Sequence, residues 1–153
     1  MLMLLAVSTR RDGQHESKTL LTLLAESITS VTTTLQGDSV LVSSLDSTLR
    51  LLDRSNGKLL QSYKHPDYTN TTYRIRSTLT AKDSVVLSGS EDGFIYSWDV
   101  VSGEMLQKVD HYAAQDPAST RNSKRVVSAV AQKKRDTEWA SASGDGELPA
   151  LAC

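Results

Sequence analysis

Ser88-Gly-Ser-Glu-Asp-Gly-Phe-Ile-Tyr-Ser-Trp-Asp99, followed by Val100-Val-Ser-Gly103, decides how this chain is read. A small-residue run enters an Asp92-Gly93 turn, an alternating apolar run leaves it, and Ser102-Gly103 marks the next turn. Asp-Gly between two short runs of period two is a strong hairpin signal, because such turns need the positive φ that glycine adopts freely. The second run ends in Trp98-Asp99.

The same pattern occurs earlier. Val40 to Asp53 aligns with Val86 to Asp99 at an offset of 46 residues, which also sets Asp46 on Asp92, Gly57 on Gly103, and Leu59-Leu60-Gln61 on Met105-Leu106-Gln107. A third copy begins at Val126-Val127 and runs through Trp139 to Gly146, with Asp145 in the place of Asp46 and Asp92. It breaks at Glu147-Leu148-Pro149, and proline removes a ladder donor, so the tail is not expected to form a normal strand. A strand–Asp turn–strand–Trp-Asp unit recurring every 40–45 residues or so is the pattern of a WD repeat, one blade of a β-propeller.

The fold class is therefore all-β, a partial WD-repeat propeller with about two complete blades and broken flanking ones. Residues 1–26 read as a remnant of a preceding blade or as irregular chain. Residues 27–64 form a first blade, 65–110 a second, 111–124 a loop, and 125–153 an incomplete third blade with an irregular tail. Period-two alternation predicts strands near 28–34, 39–44, 48–53 and 58–63, then near 73–79, 84–89, 94–99 and 104–109. Only 125–131 and 138–142 qualify in the third copy, and Lys18 to Ala25 suits an outer strand or a short helix.

Composition narrows the function classes. The 153 residues carry 17 basic and 18 acidic side chains, so bulk charge argues for neither nucleic-acid nor membrane affinity. Cys153, the single cysteine and the last residue, cannot make an internal disulfide and sits where chains fray. The apolar start, Met1 to Val7, is about a third of a membrane span and lacks the basic flank of a secretion signal. Cytoplasm and/or nucleus is the expected location, which makes the sequon Asn70-Thr71-Thr72 a chance match.

His65, Ser88 and Asp92 invite a hydrolase reading, but no Gly-x-Ser-x-Gly elbow accompanies them. The structural reading ranks higher: His65, Ser88, Asp92 and Trp98 are expected to form one buried hydrogen-bonded set, each polar group satisfying another. Leu52 stands where Trp98 does in the first copy, and the third has His111, Ser141 and Asp145 without the Trp, so only the middle blade holds the full set. Asp46, Asp92 and Asp145 mark the repeated tight turns. Gly144-Asp145-Gly146 lacks the third glycine of a phosphate loop, and His15, His65 and His111 have no metal-ligand spacing. No metal and no cofactor is expected. Lys133-Lys134-Arg135 reads as a solvated turn rather than an import or nucleic-acid patch.

The run Leu45-Asp46-Ser47-Thr48-Leu49-Arg50-Leu51-Leu52-Asp53, with Gly57-Lys58-Leu59-Leu60 and Tyr63-Lys64, resembles a late blade of the mitogen-activated protein kinase organiser family, also called WD repeat protein 83. Ser88 to Asp99 fits the next blade in the same order, and the likeness runs from about Ser27 to Asp110. The resemblance implies a seven-bladed, non-enzymatic scaffold that organises kinase-cascade components and is associated with the spliceosome. Partners would be other proteins of these two kinds, with no membrane and no direct nucleic acid.

Two to three blades cannot close a ring that takes about 4–8. The loss of pattern at Met1 and at Glu147 reads as truncation, leaving three outcomes: an incomplete product without autonomous function, self-association through open blade faces, or addition of blades to another protein. Interaction scaffold is the leading function. Its candidate contacts are Tyr68, Tyr73, Arg74, Glu91 and Arg50, because aromatic and arginine side chains anchor protein interfaces. A small hydrolase using His65, Ser88 and Asp92 is the remaining alternative and requires Ser88 open to a cleft.

Overall fold

A computed structural model describes residues 26–80, 82–112, 125–132, 139–143 and 150–151. The expectations for residues 1–25, Lys133–Arg135, Asp145 and Cys153 lie outside these, as does most of the 111–124 loop. The first sheet contains β1 (Ile28–Thr33), β2 (Ser39–Ser44), β3 (Thr48–Asp53) and β4 (Leu59–Tyr63), in that spatial order and antiparallel throughout. The second repeats it with β5 (Ser77–Leu79), β6 (Val85–Gly89), β7 (Phe94–Asp99) and β8 (Met105–Asp110). The third has β9 (Val127–Gln132), β10 (Trp139–Ser143) and β11 (Ala150–Leu151), ordered β11-β10-β9. Neighbouring sheets approach one another along β1, β5 and β9, and the three described sheets do not close into a ring.

The backbone repeats as the sequence does. Positive φ occurs at Gly37, Ser47 and Gly57, and again 46 residues later at Asp83, Gly93 and Gly103. The left-handed conformation is thus kept even where the side chain changes. Ser47 (φ 56°) and Asp83 (φ 51°) hold it without glycine, and each is tied down. The Ser47 N–H donates to Asn70 O at 3.3 Å, while Asp83 Oδ2 accepts the Leu35 N–H at 2.6 Å. Asp53 and Asp99 end equivalent strands and cap equivalent turns, Asp53 Oδ1 accepting the Ser55 N–H and Asp99 Oδ1 the Val101 N–H.

Two expected strands differ. The stretch expected at 73–79 shortens to Ser77–Leu79 because the backbone before it bonds elsewhere: the N–H groups of Thr71, Thr72 and Tyr73 go to Glu91, and that of Arg76 to Ser128 O. The tail beyond Glu147, expected to be irregular, supplies β11, whose Ala150 and Leu151 pair with Ala140 and Trp139. This strand begins after Pro149, so the proline takes no donor from it.

Alternation sorts each sheet into two faces. Leu41, Leu49, Leu51 and Tyr63 of the first blade pack on Leu79, Val86, Tyr96 and Trp98 of the second, with Tyr68 of the connector between them. The other face of the second blade sends Leu87 and Ile95 against Val127 and Val130 of the third. Here the sheets nearly touch: a Cβ on Gly89 would lie 2.1 Å from Val127 O, so this approach requires glycine. Val40, Val42 and Leu52 cluster on the remaining face of the first blade with Ile28 and Leu59.

The loop face between the blades, a candidate functional site

The β2–β3 turn, the β6–β7 turn and the connector Lys64–Arg76 lie at one end of the stacked sheets and are bonded together. Asp46 and Asp92 organise the two turns in the same way. Asp46 Oδ1 accepts the Thr48 N–H at 3.2 Å and Asp92 Oδ1 accepts the Phe94 N–H at 3.2 Å. The second carboxylate oxygen receives a side chain four residues on: Arg50 for Asp46, and the Tyr96 hydroxyl, at 2.6 Å, for Asp92. Burial acts to raise the Asp46 carboxyl, but the hydrogen bonds of Arg50, Ser44 and Thr48 and the Arg50 charge outweigh it and hold the group below its ordinary range.

The connector is fastened to both turns. Asn70 reaches the first blade, its N–H donating to Ser47 Oγ at 2.9 Å and its amide to Ser44 O at 3.3 Å. Thr69 reaches the second, its N–H donating to Ser90 Oγ at 3.0 Å and its carbonyl accepting the Glu91 N–H at 2.9 Å. Glu91 then cradles the next stretch, Oε1 accepting the N–H groups of Thr71, Thr72 and Tyr73 at 2.6, 2.6 and 3.0 Å. Burial pushes the Glu91 carboxyl up, and these three donors more than reverse the shift. At the outer side, Lys108 reaches Asp67 at 2.9 Å and Asp92 at 3.7 Å while lying over the Phe94 ring. That contact holds the Asp67 carboxyl below its usual range, and Tyr96 followed by Asp67 raises the lysine.

Beneath the connector sits an aromatic cluster. Tyr68 meets Trp98 edge-on at 5.3 Å and Tyr96 at 5.5 Å, and Tyr96 stacks on Trp98 at 5.8 Å. The Trp98 Nε1–H donates to Lys64 O at 3.3 Å, so the indole holds the start of the connector as well as filling the core. Burial raises the Tyr63 and Tyr96 hydroxyls to about 12, with Asp99 adding to the first and Asp92 to the second.

Several expectations need correction here. His65, Ser88, Asp92 and Trp98 do not form one set. His65 Nδ1 accepts the Asp67 N–H at 3.2 Å in a local turn, its ring 5.6 Å from that of Tyr96. Ser88 is fully buried and bonds to the Tyr68 hydroxyl at 3.1 Å and to Gly89 O at 3.0 Å. A hydrolase triad would need Ser88 open and in reach of His65; the structure gives neither. The His–Ser bond appears instead in the blade without the Trp, where His111 Nδ1 lies 2.7 Å from Ser141 Oγ.

Among the expected contacts, Tyr68 is 3% exposed and belongs to the core. Glu91 and Arg50 are committed, the first to the connector and the second to Asp46. Tyr73 is half-buried and Arg74 exposed, and these two remain on the surface. Asn70, the sequon residue, is fully buried and bonded to the first blade, which removes it as a glycan acceptor in this fold. Sequence reasoning missed Tyr68 as the partner of Ser88, although a tyrosine three residues after His65 has the longer reach. It also missed the serines at the blade junction, where Ser77 Oγ lies 2.5 Å from Ser43 Oγ and 3.1 Å from Ser30 Oγ. Among the described residues no group of three or more His, Cys, Asp or Glu could hold a metal, and no helix is long and apolar enough to cross a membrane.

Two four-stranded antiparallel sheets stacked face to face, with Asp46 and Asp92 in their repeated turns and Trp98-Asp99 closing the third strand of the second, define this chain as a partial WD-repeat protein. No family model matches it. Its matched part is similar to members of the WD repeat domain-containing protein 83 family. It is 46% identical over 82 residues to WD repeat domain-containing protein 83 of Danio rerio, covering 54% of this chain and 25% of that protein. The human protein of the same name is 48% identical over 69 residues, 45% of this chain and 21% of its own length. A Dictyostelium discoideum homologue is 33% identical over 86 residues, 56% and 26% respectively. The chain thus spans about a quarter of the length of the curated relatives it matches.

Proposed function

We propose that this chain is a non-catalytic protein-interaction scaffold, in which two stacked blades support the connector as a recognition surface. The carrying observation is that residues 69–73 are bonded to turns of both blades while Arg74 stays exposed and Tyr73 half-exposed. A segment held by its backbone loses little conformational freedom on binding, which favours recognition by the side chains it presents. Similarity to WD repeat domain-containing protein 83 supports a protein partner, and the organiser resemblance points to kinase-cascade or spliceosomal components in cytoplasm and/or nucleus.

The test immobilises the full chain and measures binding of purified kinase-cascade and spliceosomal components by interferometry, beside Tyr73→Ala and Arg74→Ala. Saturable binding that falls about tenfold in a variant of unchanged fold is the expected outcome, an anchor residue contributing of that order. Binding by neither class, or binding indifferent to both substitutions, sinks this reading. The mass of the soluble species completes the test: a monomer that melts cooperatively is a self-sufficient platform, a defined oligomer completes its faces with its own copies, and an aggregate with broad melting has no autonomous function.

A further inference from the structure

Arg74 and Arg76 stand apart from the other arginines of the described residues. Arg50 is paired with Asp46, Arg125 with Asp110, and Arg54 donates to Gly37 O. Arg74 and Arg76 are exposed, and among the described residues neither guanidinium has an ion-pair partner within 4.0 Å. Burial alternates along this stretch: Ile75 is fully buried and Ser77 3% exposed, between and after the two exposed arginines. This alternation sets both arginines on the solvent side of the segment, with Cα atoms two residues apart and at most about 7 Å from one another.

The backbone beneath them is fixed on three sides. Glu91 holds Thr71 to Tyr73, the Ile75 N–H turns back to Tyr73 O at 3.0 Å, and the Arg76 N–H donates to Ser128 O at 2.9 Å in the third blade. A rigid backbone therefore presents two uncommitted guanidinium forks on the approach to β5, along the edge where neighbouring sheets converge. The one carboxylate bonded to this segment, Glu91, is already filled by three N–H donors.

We propose that Arg74 and Arg76 form a docking pair for an extended acidic peptide of a partner protein, with Asp or Glu at alternate positions. This deepens the scaffold reading and rests on it. The chemistry is charge complementarity at compatible spacing: alternate side chains of an extended peptide stand about 7 Å apart, within the reach of two arginines that face solvent two residues apart. Each guanidinium can take a carboxylate through two parallel hydrogen bonds, which lysine cannot reproduce.

Fluorescence anisotropy tests this with the full chain and a short labelled peptide of alternating Glu and Ser. A peptide of Glu-Glu-Ser-Ser repeats has the same composition without any pair two residues apart, and a labelled oligothymidylate provides a nucleic-acid probe. The alternating peptide is expected to bind tighter than its rearranged twin, and more weakly as salt rises. Arg74→Gln with Arg76→Gln is expected to weaken it about tenfold or more, while the double lysine variant recovers only part of the loss. Both side chains are exposed and unpaired, so an unchanged melting midpoint is expected and confirms that the variants fold.

Equal affinity for the two peptides, no effect of the double glutamine variant, or tighter arginine-dependent binding of oligothymidylate overturns the proposal. Partner proteins bound normally by the double glutamine variant would leave the scaffold reading intact and sink this one. Arginine-dependent peptide binding with no kinase-cascade or spliceosomal partner would uphold this site and remove those partners instead.

Discussion

The two blade junctions of this molecule solve the same packing problem by different means. Between the first and second blades the space is filled with large side chains: Tyr63, Tyr68, Tyr96 and Trp98 meet Leu41, Leu49 and Leu51. Polar cross-links surround this core, with Ser30, Ser43 and Ser77 bonded together, the Tyr63 hydroxyl donating to Val100 O and the Gln61 amide to Val101 O, each at 2.9 Å. Between the second and third blades the sheets close in until Gly89 meets the Val127 carbonyl, and the apolar filling is Leu87, Ile95, Val127 and Val130. One junction depends on volume and the other on the absence of it. The consequence is mechanical: the first should tolerate polar changes and fail on truncation, and the second should fail on enlargement.

Trp98→Ala gives the largest expected effect. It removes a fully buried indole and its bond to Lys64 O, and large-to-small changes of this kind cost about 3–5 kcal/mol. Chemical denaturation measures the loss. Trp98→Leu copies the solution at Leu52 of the first blade and should recover part of it; a leucine no better than alanine would show that the two blades are not interchangeable at this position. Gly89→Ala comes next, at about 1–3 kcal/mol from overpacking. Its signature is local: hydrogen-exchange protection should fall in β9 and β10 and persist in β2 and β3. Uniform loss across all three sheets would mean that the junctions are one cooperative unit and that the contrast between them has no energetic meaning.

The repeat was legible because it is written in backbone requirements. Asp46 and Asp92, Gly57 and Gly103, and the strand alternation each specify a local geometry, and all recur at one offset. The second-blade hydrogen-bonded set was misread for the opposite reason, since a pattern of residue types does not say where a connector goes. Pro66 and the bond from the Asp67 N–H keep His65 in a local turn, and Tyr68 takes the place beside Ser88. The shortening of β5 had a similar cause, its first residues being claimed by Glu91 and Ser128 rather than by β6. Long-range partners such as these are set by the path of the chain. The free arginines at 74 and 76 follow from the same path.

Tyr68→Phe sharpens the comparison within the aromatic junction. It keeps the ring contacts with Tyr96 and Trp98 and removes only the hydroxyl bonded to Ser88. Because Ser88 still has Gly89 O as a partner, the expected loss is about 1 kcal/mol, the net worth of a single hydrogen bond. Tyr68→Ala should cost several times more. Equal losses for the two variants would make the junction a polar network rather than a volume-filled core.

Acid should loosen the connector, and this is the smallest effect expected. The Glu91 and Asp46 carboxyls are held below their ordinary values of 4.5 and 3.8 in the folded chain. The unfolded chain therefore binds protons first as pH falls, so the stability these groups contribute is complete above about pH 5 and is lost as pH drops through their folded values. Glu91→Gln removes one of the carboxyls shifted in this way, and should make stability depend less steeply on pH below about 4.5. At neutral pH the same variant should lower protection at Thr71, Thr72 and Tyr73, whose N–H groups converge on that carboxylate. Since the Arg74–Arg76 backbone begins where Glu91 lets go, peptide binding should weaken in this variant although no arginine has changed. An unchanged acid slope, with unchanged protection at the three amides, would mean that the connector is held by Asn70 and Thr69 alone.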